Sequence, residues 1–267
     1  MIIFKYMSFM TADKVIENNS IGFSSLEDLN DPFEGAALCY EASEELTSNV
    51  QFNAHFNNLS RKFALLSATR NPLNSLMWSH YGDDHRGVVL GIDANVAGFN
   101  DTECCLIPSN YGDVIYTNQI PRNRFPTTSI EKIRDSVTCH STFMDKDYSL
   151  YKNSFLYKSM EWAYEEEVRV VKNISGDERT RYAKNFFENE SGNWKKEQFQ
   201  GRPLFCYQLP KESIKYAFLG AKTYKNISRL DVDKLDYDSR IQSWKDRGVI
   251  IKNVRQANDS WNLEVKS

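Results

Sequence analysis

The segment Trp162-Ala163-Tyr164-Glu165-Glu166-Glu167-Val168-Arg169-Val170-Val171 constrains the fold most tightly, because it joins consecutive carboxylates to an alternating apolar run. Side chains along a strand alternate between faces. Read as a strand, Glu166, Val168 and Val170 share one face, and Glu165, Glu167 and Arg169 share the other. The valine face belongs to a core. Glu165 and Glu167 then stand about 7 Å apart by strand rise and repel unless Arg169, Lys158 or a ligand compensates them. Such a face either hosts acid–base or cation-stabilising chemistry or is a solvated, charged edge.

Short apolar runs elsewhere read as further strands: Ile2 to Met7, Ile21 to Ser24, Phe63 to Thr69, Gly87 to Ile92, Val114 to Tyr116, Leu204 to Leu209, Tyr216 to Leu219, Val249 to Val254 and Trp261 to Val265. Helical spacing predicts helices from Thr11, as the cap, through Asn19, over Ser43 to Lys62, from Asn74 through Tyr81, over Ser129 to Met160 with a break near Asp145 to Asp147, and over about Ile227 to Lys245. Pro121 to Thr128 reads as a turn-rich insertion and Asp177 to Glu190 as a polar helix or mobile insertion. The expected architecture is α+β with a mixed sheet, a single domain over 1–267 carrying an insertion at 175–201. No internal repeat or low-complexity linker divides it.

Composition removes several classes. An apolar share of 41 % and a charged share of 26 % are those of a globular chain, and a net charge of −3 supplies no global field for a polyanion. The 5 cysteines are odd in number and lack a CxxC spacing, which disfavours a disulfide framework or zinc ribbon and points to the reducing cytoplasm. No run of 18 apolar residues and no signal peptide is found, so neither a membrane nor secretion is expected. The chain contains no Walker A run, GxGxxG or GxSxG motif. His80 and His85 are five apart and miss the i, i+4 geometry of two ligands on one helical face, so no metal site is expected.

Polar residues gather at the ends of the expected strands: Lys5 and Tyr6, Ser24 and Ser25, Asn30 to Glu34, and Trp78 to Tyr81 with His85 to Gly87. Sites are commonly built there, although an Asx turn alone explains Asn30-Asp31-Pro32. Glu34 has no such local explanation.

Three of these groups carry a resemblance. Asn30-Asp31-Pro32-Phe33-Glu34, Met77-Trp78-Ser79-His80-Tyr81 followed by His85-Arg86-Gly87, and Lys158 with Trp162, Tyr164, Glu165, Glu167 and Arg169 resemble a prokaryotic family catalogued as a domain of unknown function. That resemblance extends from Phe4-Lys5-Tyr6 to Ile214–Gly220. A more distant similarity is to ADP-ribosyltransferases, which place a basic residue on an early strand, a Ser or Tyr on the next and a Glu, often within Glu-x-Glu, on a later one. It implies a split sheet that clamps NAD, with Lys5 in place of the usual His or Arg, Ser24 or Ser25 second, and Glu165-x-Glu167 last. Tyr6, His80, Tyr81 and Arg169 complete the implied cofactor-binding set.

On that resemblance Glu167 stabilises an oxocarbenium-like ribose, Glu165 orients or deprotonates an acceptor, and Lys5 meets the pyrophosphate. The expected activity is NAD consumption, by transfer of ADP-ribose to a protein or nucleic acid or by hydrolysis, in a setting such as a toxin or anti-phage effector. The alternatives are a non-catalytic ligand- or protein-binding module, and a hydrolase or nuclease using Asp31, Glu34, His80 and His85 with a divalent cation.

Overall fold

The computed structural model describes residues 1–37, 39–40, 56–121, 124–125, 142–175, 186–199, 201–223 and 234–266. It is a mixed α+β structure built on a large open sheet. Strand β1 (Ile2–Met7) leads through helix α1 (Phe9–Asn18) to β2 (Ser20–Ser25). Then follow β3 (Cys39–Tyr40), β4 (Phe63–Thr69), α2 (Ser75–His80), β5 (Val88–Asp93), β6 (Ile115–Thr117) and β7 (Arg124–Phe125). Beyond them come α3 (Tyr148–Phe155), β8 (Tyr157–Ser159), β9 (Glu167–Asn173), β10 (Phe186–Asn189), β11 (Gly192–Phe199), β12 (Arg202–Gln208) and β13 (Ile214–Leu219). Helix α4 (Lys234–Asp246), β14 (Ile250–Gln256) and β15 (Leu263–Val265) close the described chain.

The main sheet runs β10-β11-β12-β2-β4-β1-β5-β13-β14-β15, with β9 also paired to β4. Its topology turns on β4. Strand β9 takes one edge along the full length, from Phe63 opposite Asn173 to Thr69 opposite Glu167. The other edge is shared. Strand β1 reaches it at Phe4 opposite Thr69, and β2 reaches it at Ser24 opposite Leu65 and Ser25 opposite Ala64. Between those ends no described strand pairs with Ser67 on that edge, so the sheet opens into a wedge. The Lys5 ammonium enters the wedge and donates to the Ser67 carbonyl at 2.7 Å.

Alternation explains the faces. Val168, Val170, Ala68 and Leu66 lie in the largest buried cluster with Ile3, Ile16, Phe23 and Trp244. Helix α1 seals that face, with the Phe9 ring stacked 5.1 Å from Tyr237 and tilted against Trp244 at 5.2 Å. Buried Asp13 on α1 accepts the Trp244 indole N–H at 2.8 Å and an ion pair from Arg240, tying α1 to α4. On the opposite face Leu65 and Val171 join Tyr151 and Phe155 of α3 in a second cluster. A third gathers Tyr6, Met77, Trp78 and Phe218.

The strands β1 and β4 fall where the apolar runs predict them, and Asn74 caps α2 through its side chain, which accepts from Leu76 and Met77 backbone N–H groups. The cap of α1 is Ser8 and not Thr11: the Ser8 hydroxyl accepts the Thr11 N–H at 3.3 Å, so Thr11 already lies in the first turn. Of the helix expected over Ser43 to Lys62, residues 56–62 are helical and the rest lies outside the described residues. Much of Pro121 to Thr128 and of Ser129 to Met160 also lies outside them. Within that block Asp145–Asp147 is a 3-10 turn leading into α3, and Tyr157–Ser159 is strand, not helix, because it pairs with β6. Phe186–Asn189, expected as part of a polar helix or mobile insertion, is a strand that pairs with β11 and extends the sheet. Among the described residues no helix is long and apolar enough to cross a membrane.

The outer edge of β9 is covered by the 106–114 segment, where Val171 N–H donates to Ile107 O at 3.0 Å, Arg169 N–H to Gly112 O at 2.8 Å, and Val114 N–H to Glu167 O at 3.0 Å. The approach is so close that a Cβ on Gly112 would lie 1.9 Å from the Arg169 carbonyl oxygen. Gly112→Ala should therefore lower unfolding free energy by about 1–3 kcal/mol, as overpacking does. A thermal melt indistinguishable from wild type would contradict this account of the edge.

Candidate active site at the split in the sheet

The wedge opens into a cleft of about 220 Å³ lined by residues from β1, β2, the loop after β2, β4, α2, β8 and β9. Lys5, Tyr6, Ser24, Tyr81, Glu165, Glu167 and Arg169 all line it. Two expected members do not. Ser25 follows Ser24 on the same strand, so it faces the other side of the sheet, where it is buried. His80 is exposed on α2, its ring 6.1 Å from that of Tyr164, outside the lining. Asp31 and Glu34 line the cleft as well, whereas His85 stacks on Trp78 at 6.4 Å and meets Ser79 at 3.1 Å. The four residues of the hydrolase reading thus do not converge.

The two carboxylates reach the cleft by different routes. Strand β9 begins at Glu167, so Glu167 and Arg169 share a face as alternation predicts. Glu165 is not on the strand, which corrects that part of the reading. It ends a 3-10 turn, Met160–Glu165, capped by the Ser159 side chain, and Glu166 follows with φ 45°. Asn74 holds the turn by donating to the Tyr164 carbonyl at 2.6 Å. The reversal at Glu166 still sets both acids on one ammonium: Lys158 Nζ lies 2.6 Å from Glu165 and 3.1 Å from Glu167. Strand β8, parallel to β6 with Lys158 beside Tyr116, aims that lysine.

Arg169 is 1 % exposed and is held between two acids. Its terminal nitrogens grip Glu34 at 2.8 and 2.6 Å, its Nε donates to Glu167 at 2.9 Å, and a further bond reaches Phe155 O at 2.5 Å. Planar, two-point pairing of this kind is what guanidinium provides and an ammonium does not. Tyr81 donates its hydroxyl to Glu165 at 2.7 Å, and the Tyr116 hydroxyl accepts the Glu167 backbone N–H at 2.8 Å.

The electrostatics follow. Burial pushes the Glu167 carboxyl up, but the adjacent Arg169 and Lys158 charges outweigh it and hold the acid down at about 2. It is a fixed anion at neutral pH. Burial lowers the Lys5 ammonium pKa despite the opposing pull of Glu167 and Glu165, while burial and the bond to Glu165 raise the Tyr81 phenol. Burial would lower Lys158, yet it is raised on balance, chiefly by Glu167 against the like charge of Arg169. Five carboxylates, Asp28, Asp31, Glu34, Glu165 and Glu167, face three cations, Lys5, Lys158 and Arg169, so the wall is net negative. The Asp28 Oδ2 atom is buried without a hydrogen-bond partner.

Residues 77–170 match a family model, protein of unknown function (DUF2971). The DUF2971 match begins at Met77 within α2 and runs through β8 to Val170 of β9, and so carries Tyr81, Lys158, Glu165, Glu167 and Arg169. It is shorter than the extent from Phe4 to Gly220 that the motifs imply; Lys5, Ser24 and the Asn30-to-Glu34 motif lie outside it. No curated protein and no solved structure matches the chain significantly.

Asp28 and Tyr116 were not marked as site residues by the sequence, and Trp162 entered only through the motif of the resemblance, with no role in the site assigned to it. Trp162 had a signal, its place four residues after Lys158, whose ammonium sits 4.9 Å from the ring centre. Tyr116 had none, since its role is to meet a backbone N–H across a loop.

Replacing Arg169 with Met would leave Glu34 and Glu167 buried against one another and should cost about 3–5 kcal/mol in a denaturant titration, the price of orphaning a buried pair. The pH dependence has a definite sign. Because the folded-state value of Glu167 lies below the ordinary carboxylate range, its contribution is complete above that range and is lost as pH falls toward about 2. Acid titration of stability should be steeper for wild type than for Glu167→Gln in that window, and equal slopes would rule out the ion-pair account.

Proposed function

We propose that the protein binds and consumes NAD in the cleft at the split of the sheet. The observation that carries the reading is the convergence of Lys5, Ser24, Glu165 and Glu167, far apart in sequence, on one cleft where two strands part. That order of residue types resembles ADP-ribosyltransferases, with Lys5 on the first strand, Ser24 on the second and Glu165-x-Glu167 where the later strand begins.

The chemistry is electrostatic. When the bond between ribose and nicotinamide breaks, positive charge grows on the ribose, and an anion beside it lowers the barrier if it binds the transition state more strongly than the ground state. Glu167 suits that part because its carboxyl stays ionised at neutral pH. The excess of carboxylates on the wall acts in the same sense. Glu165, bonded to Tyr81 and Lys158, is placed to orient an acceptor, water or a macromolecule, and to take its proton. Lys5, whose ammonium is bonded to the neutral Ser67 carbonyl, has donors left for a phosphate. At about 220 Å³ the cleft is smaller than the roughly 300–1,000 Å³ of pockets that engulf a drug-sized ligand, so it suits the nicotinamide and its ribose with the adenylate outside.

A second reading, a ligand-binding module without turnover, is favoured by the saturation of Glu167 with Arg169 and Lys158. One experiment separates the two. The purified protein is incubated with NAD, with nicotinamide release followed by chromatography and binding by calorimetry. Release by wild type, reduced about 10²–10³-fold in Glu167→Gln with binding retained, is the expected result. Binding without release assigns the protein to the second reading. Absence of both overturns the proposal.

A further inference from the structure

We infer that Lys158 is a positioning residue that keeps Glu165 and Glu167 ionised together, so that the pair meets its ligand as two anions and not as two acids sharing a proton. Its ammonium lies 2.6 Å from one carboxylate and 3.1 Å from the other, and all three side chains are nearly excluded from solvent, at 8 %, 5 % and 5 % exposure. Two carboxylates so close to a common point do not both ionise readily without a cation between them.

Among the described residues no cation other than Lys158 pairs with both acids. From β9, Arg169 pairs with Glu167 through Nε at 2.9 Å and one terminal nitrogen at 3.2 Å, and with Glu34 through both terminal nitrogens, so its single charge serves two acids. From the end of α2, Tyr81 gives Glu165 a neutral hydroxyl. From β6, the Tyr116 hydroxyl accepts the Glu167 backbone N–H and adds no charge. From β1, Lys5 acts on both acids through space while its ammonium is bonded to Ser67 O. From the 3-10 turn, Tyr164 is a further neutral phenol near Glu165. Removing Lys158 leaves Glu34, Glu165 and Glu167 facing Arg169 and a more distant Lys5, and Glu165 loses its only ion pair among the described residues. The two acids would then titrate as a coupled pair, the second proton leaving only at higher pH.

Lys158 is itself placed by rigid parts. Strand β8 fixes its backbone against β6, and the Trp162 ring lies 4.9 Å from Nζ. The ammonium therefore cannot swing away without leaving both a ring and two carboxylates.

For its effect on turnover this inference rests on the NAD reading, but the charge state of the pair can be read without any substrate. Glutamate labelled with ¹³C at the side-chain carboxyl is followed by NMR against pH in wild type, Lys158→Met and Lys158→Arg, with Glu165→Gln and Glu167→Gln assigning the two signals. In Lys158→Met one midpoint should lie roughly 2 pH units above its wild-type place, and Lys158→Arg should return it. If the Met variant does not fold, Lys158→Gln, which keeps a polar head without charge, carries the same expectation. Where wild type releases nicotinamide, the acid limb of its pH–rate profile should move up with the midpoint in the variant, a change that a merely structural tether would not produce. Unmoved midpoints in a folded, uncharged variant overturn the inference. Failure of the NAD reading shows separately, as no nicotinamide release from wild type.

Discussion

A buried guanidinium held between two acids organises this protein. Arg169 sits on β9, the strand paired along the whole of β4, and without Glu34 and Glu167 its charge would be stranded where water cannot reach it. Satisfying it requires the loop after β2 to fold back over the sheet so that Glu34 can arrive, although 135 residues separate the two in sequence. The same demand brings Asp28 and Asp31 to the cleft wall, because they belong to that loop. Fold and site are thus set by one electrostatic requirement, not by two independent ones.

From this follows a division of labour between the two faces of β4 and β9. One face is hydrocarbon, Leu66, Ala68, Val168 and Val170, and supplies cohesion. The other changes character along its length: Leu65 and Val171 belong to a second apolar cluster, while Ser67, Thr69, Glu167 and Arg169 face the cleft. The change coincides with the stretch where β1 and β2 leave the edge of β4. Polar side chains are tolerated there because the backbone beside them is open to a ligand and the buried charges are paired, Arg169 with Glu34 and Glu167 and Lys158 with Glu165 and Glu167.

Much of this was legible along the chain. The bounds of β1 and β4 follow from local pattern, since Asn71-Pro72 stops the second and the apolar runs are short enough to be strands only. The alternation of Val168 and Val170 against Glu167 and Arg169 separated the hydrocarbon face from the charged one, although every residue of β9 is buried. The position of Glu165 was not legible, because the 3-10 turn that carries it depends on Asn74, a residue 90 positions from its partner Tyr164. Ser24 and Ser25 look equivalent in sequence, and only the pairing with β4 decides which one faces the cleft. Nor could the sequence choose between Arg169 and Lys158 as the compensating charge. The fold uses both, since the arginine is shared with an acid that no local pattern connects to it.

Helix α1 joins the two strands that part at the wedge and lies on the face away from it. Its buried residues pack into the same hydrocarbon layer as Trp244, and Asp13 ties it to α4. The aperture available to a ligand is therefore governed from behind. A change in how α1 seats on α4 would widen or narrow the opening without touching a single residue that lines it.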